Sequence, residues 1–251
     1  MTANNLPVLV LKRNEERRLD AGHLWVYSNE VDTRKTPLGS FEAGTLAVIQ
    51  SAAGKTLGSG YVNPHSLICA RLLTRRPRTV IDAGFFEPRL RSALQLRESL
   101  FEHPTYRLVY GESDGLPGLV IDRYGDVLVV QITTAGMEAV RELLLQVLNR
   151  VLAPSGILLR NDTPVRALEG LSQEPEVIGE VPETVTLEEG GVRFEVPLAA
   201  GQKTGWFYDQ RSNRTAMHKY VHNKRVLDVF SYIGAWGLQA AAAGASEVCC
   251  V

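Results

Sequence analysis

Cysteine is scarce: Cys69, Cys249 and Cys250 are the only three in 251 residues. They are too few and too irregularly spaced for a disulfide framework or a metal-ligand set, so the chain reads as a protein of a reducing cytoplasm with no metal. Long apolar runs are also missing, which excludes a membrane-spanning helix. The opening stretch, MTANNLPVLVLKRNEERR, has no apolar block behind a basic start and is not a signal peptide. The histidines at 65, 103, 218 and 222 are scattered and carry no pairing signal. Net charge is only −1, and the 45% hydrophobic and 22% charged content is ordinary for a globular chain. Wholesale disorder, collagen-like repeats and coiled coils are thereby excluded.

The small net charge hides three blocks. Residues 1–80 hold 11 Lys and Arg against 6 Asp and Glu; residues 81–200 hold 10 against 19; residues 201–251 hold 6 against 3. A basic head is suited to phosphate, although chance surface variation would give the same balance.

Hydrophobic patterning divides the chain similarly. Residues 6–80 give short strands separated by glycine turns, the pattern of a small β-barrel. Helices are predicted over 80–100, with an Asp82 cap and a stripe of Phe86, Leu90, Ala93, Leu94, Leu96 and Leu100, and over Met137–Leu152. Strands at 106–110, 119–122, 127–132 and 156–161 complete an α+β middle. After an acidic loop, Ser172–Glu189, come a strand at 192–197, a helix at 209–221 and then strand Arg225–Phe230, glycine turn, helix Leu238–Ala243 and strand Ser246–Val251. That last order is the opening βαβ of a doubly wound α/β sheet. One such unit does not cover both faces of a parallel sheet, so the sequence is expected to stop inside a domain.

Two motifs carry chemistry. In DVFSYIGAWG, an acidic residue, Asp228, ends a strand, and Gly234 and Gly237 open a helix whose free N–H groups suit an anionic group. Only two glycines are present, so this is not the dinucleotide fingerprint. It suits S-adenosylmethionine, although an ordinary packing turn has the same residues. In GQKTGWFYDQR, residues 201–211, Lys203 and Arg211 are suited to a carboxylate or phosphate. Trp206, Phe207 and Tyr208 offer rings, and Asp209 is placed to cap the helix that follows.

Together, GQKTGWFYDQRSNR and RVLDVFSYIGAWG resemble the bacterial class I methyltransferases that act on cytosine C5 of 23S rRNA. GHLWVYSNEV (22–31) resembles the opening of that family's RNA-binding PUA domain, and YRLVYGESDGLPGLVIDRYGDVLVVQ (106–131) its central domain. The resemblance implies a PUA-like β-barrel over 1–78, a central α+β domain over 79–190, and the first part of a Rossmann-like methyltransferase domain over 191–251. It implies S-adenosylmethionine held by Lys203, Thr204, Gly205, Tyr208, Asp209, Arg211, Asp228, Phe230, Tyr232, Gly234 and Gly237. It places RNA on Lys12, Arg13, His23, Trp25, Arg71, Arg75 and Arg76, with 23S rRNA as partner and a homodimer left open. The family's cysteine nucleophile is expected beyond Val251, so this chain alone is expected to be inactive. Cys249 and Cys250 are read as buried core thiols, and Cys69 likewise.

Two other signals are discarded. Ala53-Gly54-Lys55-Thr56 imitates a phosphate loop, but Ile49 stands where its first glycine belongs. Glu112 and Asp114 lie in a glycine-proline turn and are read as structural. A non-catalytic RNA-binding module and a methyltransferase for another RNA base are the rival readings.

Overall fold

The structure, a computed structural model, describes residues 6–76 and 79–251. Arg78, which follows Arg75 and Arg76 in the sequence, lies outside the described residues. Contacts divide the chain into two units, Met1–Glu180 and Val181–Val251.

The first unit begins with β1 (Val8–Val10), α1 (Arg17–Asp20), β2 (Trp25–Val26), β3 (Thr45–Gln50), β4 (Thr56–Val62) and β5 (Ala70–Thr74). They form one sheet in the order β1-β3-β4-β5-β2, parallel only between β1 and β3. A bridge between Leu11 and Val31 draws the segments after β1 and β2 together and curls the sheet toward a barrel. Leu9, Leu11, Leu19, Val26, Ile49 and Leu72 fill its core.

A helix, α2 (Ala83–Leu100), then leads into the second layer. The Asp82 carboxylate accepts from Phe85 N–H at 3.2 Å, as the sequence predicts. Phe86, Leu90 and Ala93 are buried, but Leu96 and Leu100 are exposed. Helical spacing continues the inner face through Arg97, whose guanidinium reaches Arg107 O and Asp114, and this leaves Leu96 pointing outward.

The layer itself comprises β6 (Thr105–Tyr110), β7 (Leu119–Tyr124), β8 (Val127–Ile132), α3 (Ala135–Glu138), α4 (Arg141–Leu152), β9 (Gly156–Leu159), α5 (Pro164–Leu168) and β10 (Glu176–Gly179). The sheet order is β10-β9-β8-β7-β6, and only β8 and β9 are parallel. Parallel neighbours need a crossover, which α3 and α4 supply. The single helix predicted over Met137–Leu152 is therefore two. Thr134 caps α3, which packs on the barrel, whereas Leu144, Val147 and Leu148 of α4 enter the core of the sheet. Different partners set the two axes.

Barrel and sheet are joined by buried polar contacts. The Tyr61 hydroxyl donates to Pro117 O at 2.8 Å and accepts from Thr134 Oγ1 at 3.0 Å. Asn63 Nδ2 donates to the Glu169 carboxylate at 2.7 Å. The Tyr61 ring lies directly on Gly136, where any Cβ would overlap it.

The second unit holds β11 (Thr184–Glu189), β12 (Val192–Pro197), α6 (Arg211–Val221), β13 (Arg225–Asp228), α7 (Ala235–Ala242) and β14 (Glu247–Cys250). The predicted acidic loop over 172–189 is thus incorrect at two places, β10 and β11. Glu188 and Glu189 are poor strand formers, but β11 is fixed by pairing with β12 along its whole length. The strand predicted to reach Phe230 stops at Asp228, because Phe230 takes a left-handed φ of 60°. β13 and β14 are parallel. Cys249 and Cys250, read as core thiols, are exposed, because β14 pairs only with β13 and the sheet has no second covering layer among the described residues. Cys69 is buried as expected.

Candidate functional site

The turn after β13 is strained. Phe230, Tyr232 and Gly234 have φ of 60°, 53° and 72°. For the two aromatic residues a left-handed backbone costs about 1–2 kcal/mol each, and such strain concentrates at functional sites. What fixes it is visible. Asp228, almost fully buried, accepts from Gly237 N–H at 2.9 Å and so ties the strand end to the first turn of α7. The two glycines have different reasons. A Cβ on Gly237 would meet Cys250 Sγ at 2.5 Å, so that position is a packing contact. A Cβ on Gly234 would find only ordinary contacts at 3.7 Å and beyond, so glycine there serves the backbone angle.

The second motif meets this turn. Gln202 N–H donates to the Tyr232 hydroxyl at 3.2 Å. Phe207 stands edge-on to the Tyr232 ring with centroids 6.1 Å apart, and Lys203 Nζ lies 4.7 Å from the Phe207 ring centre. Two segments some thirty residues apart therefore form one surface. It presents a lysine, aromatic rings and the N-terminus of α7, whose first N–H groups favour negative charge. These groups fit the parts of S-adenosylmethionine: α7 for its carboxylate, Asp228 for its ammonium group, and Tyr208, Phe230 or Tyr232 for its adenine. Phe230, 95% exposed, offers an entire ring face. Thr204 and Gly205 are buried beneath this surface and shape the 201–205 turn.

Two predicted residues have other duties. Arg211 was assigned to the cofactor, but its Nε donates to Glu189 at 3.3 Å. Asp209 does not cap α6: it lies within a short turn at Tyr208–Gln210, where its carboxylate accepts from Gln210 Nε2 at 3.1 Å. The sequence reading missed Glu189 altogether. This buried carboxylate also accepts from Trp206 Nε1 at 3.0 Å, from Gln239 Nε2 at 2.9 Å and from Arg214, which is 1% exposed. Burial alone would raise its pKa, but the hydrogen bond and charge of Arg214, with Trp206 and Arg211, outweigh that and hold it below the usual carboxylate range. Glu189 thereby fixes the base of the 201–211 segment to α6 and α7. The only sequence signal was two glutamates ahead of Gly190-Gly191, with nothing to distinguish Glu189 from Glu188.

Neither Cys69 nor Cys250 is primed for attack. Burial pushes the Cys69 thiol up to about 12. Desolvation, followed by the charge of Asp228, raises Cys250, the reverse of what activates a nucleophile.

The predicted RNA residues split into two groups. Lys12, Arg13, His23, Arg75 and Arg76 are exposed on the barrel. Lys12 Nζ donates to Asn29 O, and an Arg75 Nη donates to His23 O at 3.1 Å. Arg71 is a correction. Its side chain, 12% exposed, lies 5.4 Å from the Trp25 ring centre and 3.5 Å from Glu112 Oε1, so its charge is already matched. Trp25 Nε1 donates to the same carboxylate. Glu112 and Asp114, read as parts of a turn, do lie in the short helical turn Gly111–Asp114, and Asp114 is held by both Arg97 amino groups at 2.6 and 2.8 Å. No group of three or more metal-ligating side chains occurs among the described residues, and no helix there is long and apolar enough to cross a membrane.

Comparison with known proteins adds to this geometry. Residues 9–75 match the PUA-like domain family, and residues 143–251 match the S-adenosylmethionine-dependent methyltransferase family, whose cofactor is given in its name. Ribosomal RNA large subunit methyltransferase I of Aliivibrio fischeri is 40% identical over 245 residues, covering 96% of this chain and 61% of its own. The protein of the same name from Escherichia coli is 40% identical over 246 residues, with the same coverage. The chain thus spans about 61% of the length of these curated relatives. Among solved structures, a chain from Streptococcus mutans described as a SAM-dependent methyltransferase superposes with a TM-score of 0.80 at 21% identity, covering 98% of this chain and 63% of that one. A protein of the methyltransferase class complexed with SAH gives 0.82, also at 21% identity, with 98% and 62% coverage. The fold is accordingly a PUA-like domain followed by a SAM-dependent methyltransferase fold, and the chain is similar in sequence to the large-subunit rRNA methyltransferases across nearly its whole length.

Proposed function

We propose that this chain is the RNA-gripping and cofactor-holding part of an S-adenosylmethionine-dependent methyltransferase that forms 5-methylcytosine in 23S rRNA. The observation that carries the reading is the meeting of the strained Asp228–Gly237 turn with the Lys203–Phe207 segment at Tyr232. Strain of that kind persists where a ligand needs the backbone shape. The rRNA substrate class is taken from what the 40% identical relatives are named for.

When bound, S-adenosylmethionine supplies an electrophilic methyl group on its sulfonium. The residues in this chain bind and orient. The N-terminal turn of α7 would receive the carboxylate, Asp228 the ammonium group, and Tyr208, Phe230 or Tyr232 the adenine. The N-terminal barrel holds RNA through phosphate contacts, which supply affinity and salt dependence without sequence choice. Addition of a thiolate at cytosine C6 is required to make C5 nucleophilic. Cys69 and Cys250 have thiol pKa values shifted away from that role.

Replacing both Arg75 and Arg76 by Glu is expected to weaken binding to protein-free 23S rRNA by more than about tenfold at physiological salt and to reduce the slope of log K against log salt by about 2. Filter binding over a salt series reads both. Unchanged affinity and slope would remove the barrel's basic edge from the RNA interface.

A further inference from the structure

Between β2 and the Gly111–Asp114 turn lies a notch of about 360 Å³, lined by Gly22, His23, Leu24, Trp25, Glu112 and Ser113. Three groups meet there. The Trp25 indole is 36% exposed, with the Arg71 guanidinium over the ring at 5.4 Å. A cation so placed holds the indole in position. Glu112 spends one carboxylate oxygen, Oε1, on Trp25 and Arg71, while Oε2 accepts no hydrogen bond among the described residues. At the lip, the Arg75 guanidinium is held by the carbonyl of His23. An aromatic face, an unspent anionic acceptor and a cation are the three things needed for a base, its exocyclic donor and the adjoining phosphate.

We propose that this notch is a nucleobase site that takes one unpaired, amino-bearing base of single-stranded RNA. The base stacks on Trp25, its exocyclic amine donates to Glu112 Oε2, and its 5′ or 3′ phosphate meets Arg75. A carboxylate oxygen only accepts, so cytosine and adenine, which present an amine, are favoured over uracil, which presents a carbonyl at the same position. The barrel and the second layer each supply one side of the notch, and their joint at Tyr61, Asn63 and Glu169 holds the two sides in register. The inference rests on the RNA reading above and extends it from phosphate grip to base choice.

The test uses the whole chain with three short homopolymers, oligo(C), oligo(A) and oligo(U), with affinity read by fluorescence anisotropy of a labelled strand and folding by thermal melting. Wild type should prefer oligo(C) and oligo(A) to oligo(U). Trp25→Ala should lose about tenfold or more for all three, in line with about 1–3 kcal/mol per stacked base. Trp25→Phe breaks the bond to Glu112 but keeps a ring, and should retain most of the affinity; if the contact were only a tie between layers, it would behave like Trp25→Ala. Glu112→Gln keeps an acceptor for the indole but adds a donor and removes the charge opposite Arg71, and should collapse the preference over oligo(U) in a protein that the melting curve shows still folded. Equal affinity of folded Trp25→Ala and wild type overturns the site. An unchanged preference in Glu112→Gln overturns the base selection. Binding of 23S rRNA without any homopolymer also overturns the notch and leaves the RNA reading standing, whereas binding of neither overturns both.

Discussion

Glu189→Ala is expected to cost the unit Val181–Val251 about 3–5 kcal/mol, the range for removing one partner of a buried ion pair. Arg214 is 1% exposed and has Glu189 as its carboxylate partner, so the substitution leaves a buried guanidinium with, among the described residues, the Phe207 carbonyl and the Trp206 face. The bonds of Trp206 Nε1 and Gln239 Nε2 to that carboxylate are lost at the same time. A loss of that size is a large share of a small domain's total stability. Melting followed by tryptophan fluorescence should therefore show the second unit unfolding tens of degrees earlier or unfolded at the outset. Arg211→Met, at a pair that is partly solvated, should cost about 1 kcal/mol or less. The same carboxylate sets an acid limit. Its folded pKa is depressed below the ordinary 4.5, so its contribution is fully present above that value and is lost as pH falls through the folded pKa. Wild type should destabilise as pH drops below about 4.5, and Glu189→Gln should show a flatter profile there. An Ala variant that melts like wild type would mean that the Glu189 cluster is dispensable.

Gly136→Ala is expected to destabilise the first unit strongly. The new Cβ would overlap the Tyr61 ring, which is 3% exposed and anchored at its hydroxyl by Pro117 and Thr134. The ring has to leave, so overpacking of about 1–3 kcal/mol is joined by loss of two buried hydrogen bonds at about 1 kcal/mol each. For a unit of this size that moves the melting temperature down by roughly ten degrees. Tyr61→Ala is itself costly, but in that background Gly136→Ala should add almost nothing. A thermal double-mutant cycle reads the coupling, and independent, additive effects would show that barrel and second layer are not locked through this ring.

The legible part of the chain was whatever repeats locally. Alternation and turn glycines located β7 and β8 to within a residue or two, and the Asp82 cap was readable because its partner is three residues away. Strand β11 was not readable: its glutamates oppose a strand, and only pairing with β12 forms it. Among the candidate residues, Asp228 and Gly234 stood out in the sequence because their geometry is local to the turn between β13 and α7. Glu189 and Arg214 could not, because one carboxylate gathers donors from residues 206, 211, 214 and 239, a convergence that exists only after folding. Arg71 shows the reverse error. A basic run looks uniform in sequence, yet the strand pairs Arg71 with Trp25 and turns it toward Glu112, while Arg75 and Arg76 lie beyond the strand in solvent.

The turn after β13 is proposed to shape the binding surface for S-adenosylmethionine. Calorimetric titration of S-adenosylmethionine into wild type, Gly234→Asn and Gly234→Val, each beside a melting curve, tests it most directly. At φ 72° asparagine is tolerated and a β-branched residue is not. Wild type should bind, Gly234→Asn should keep most of the affinity, and folded Gly234→Val should lose more than about tenfold. Absence of binding in wild type, or equal affinity in a folded Gly234→Val protein, would contradict the account.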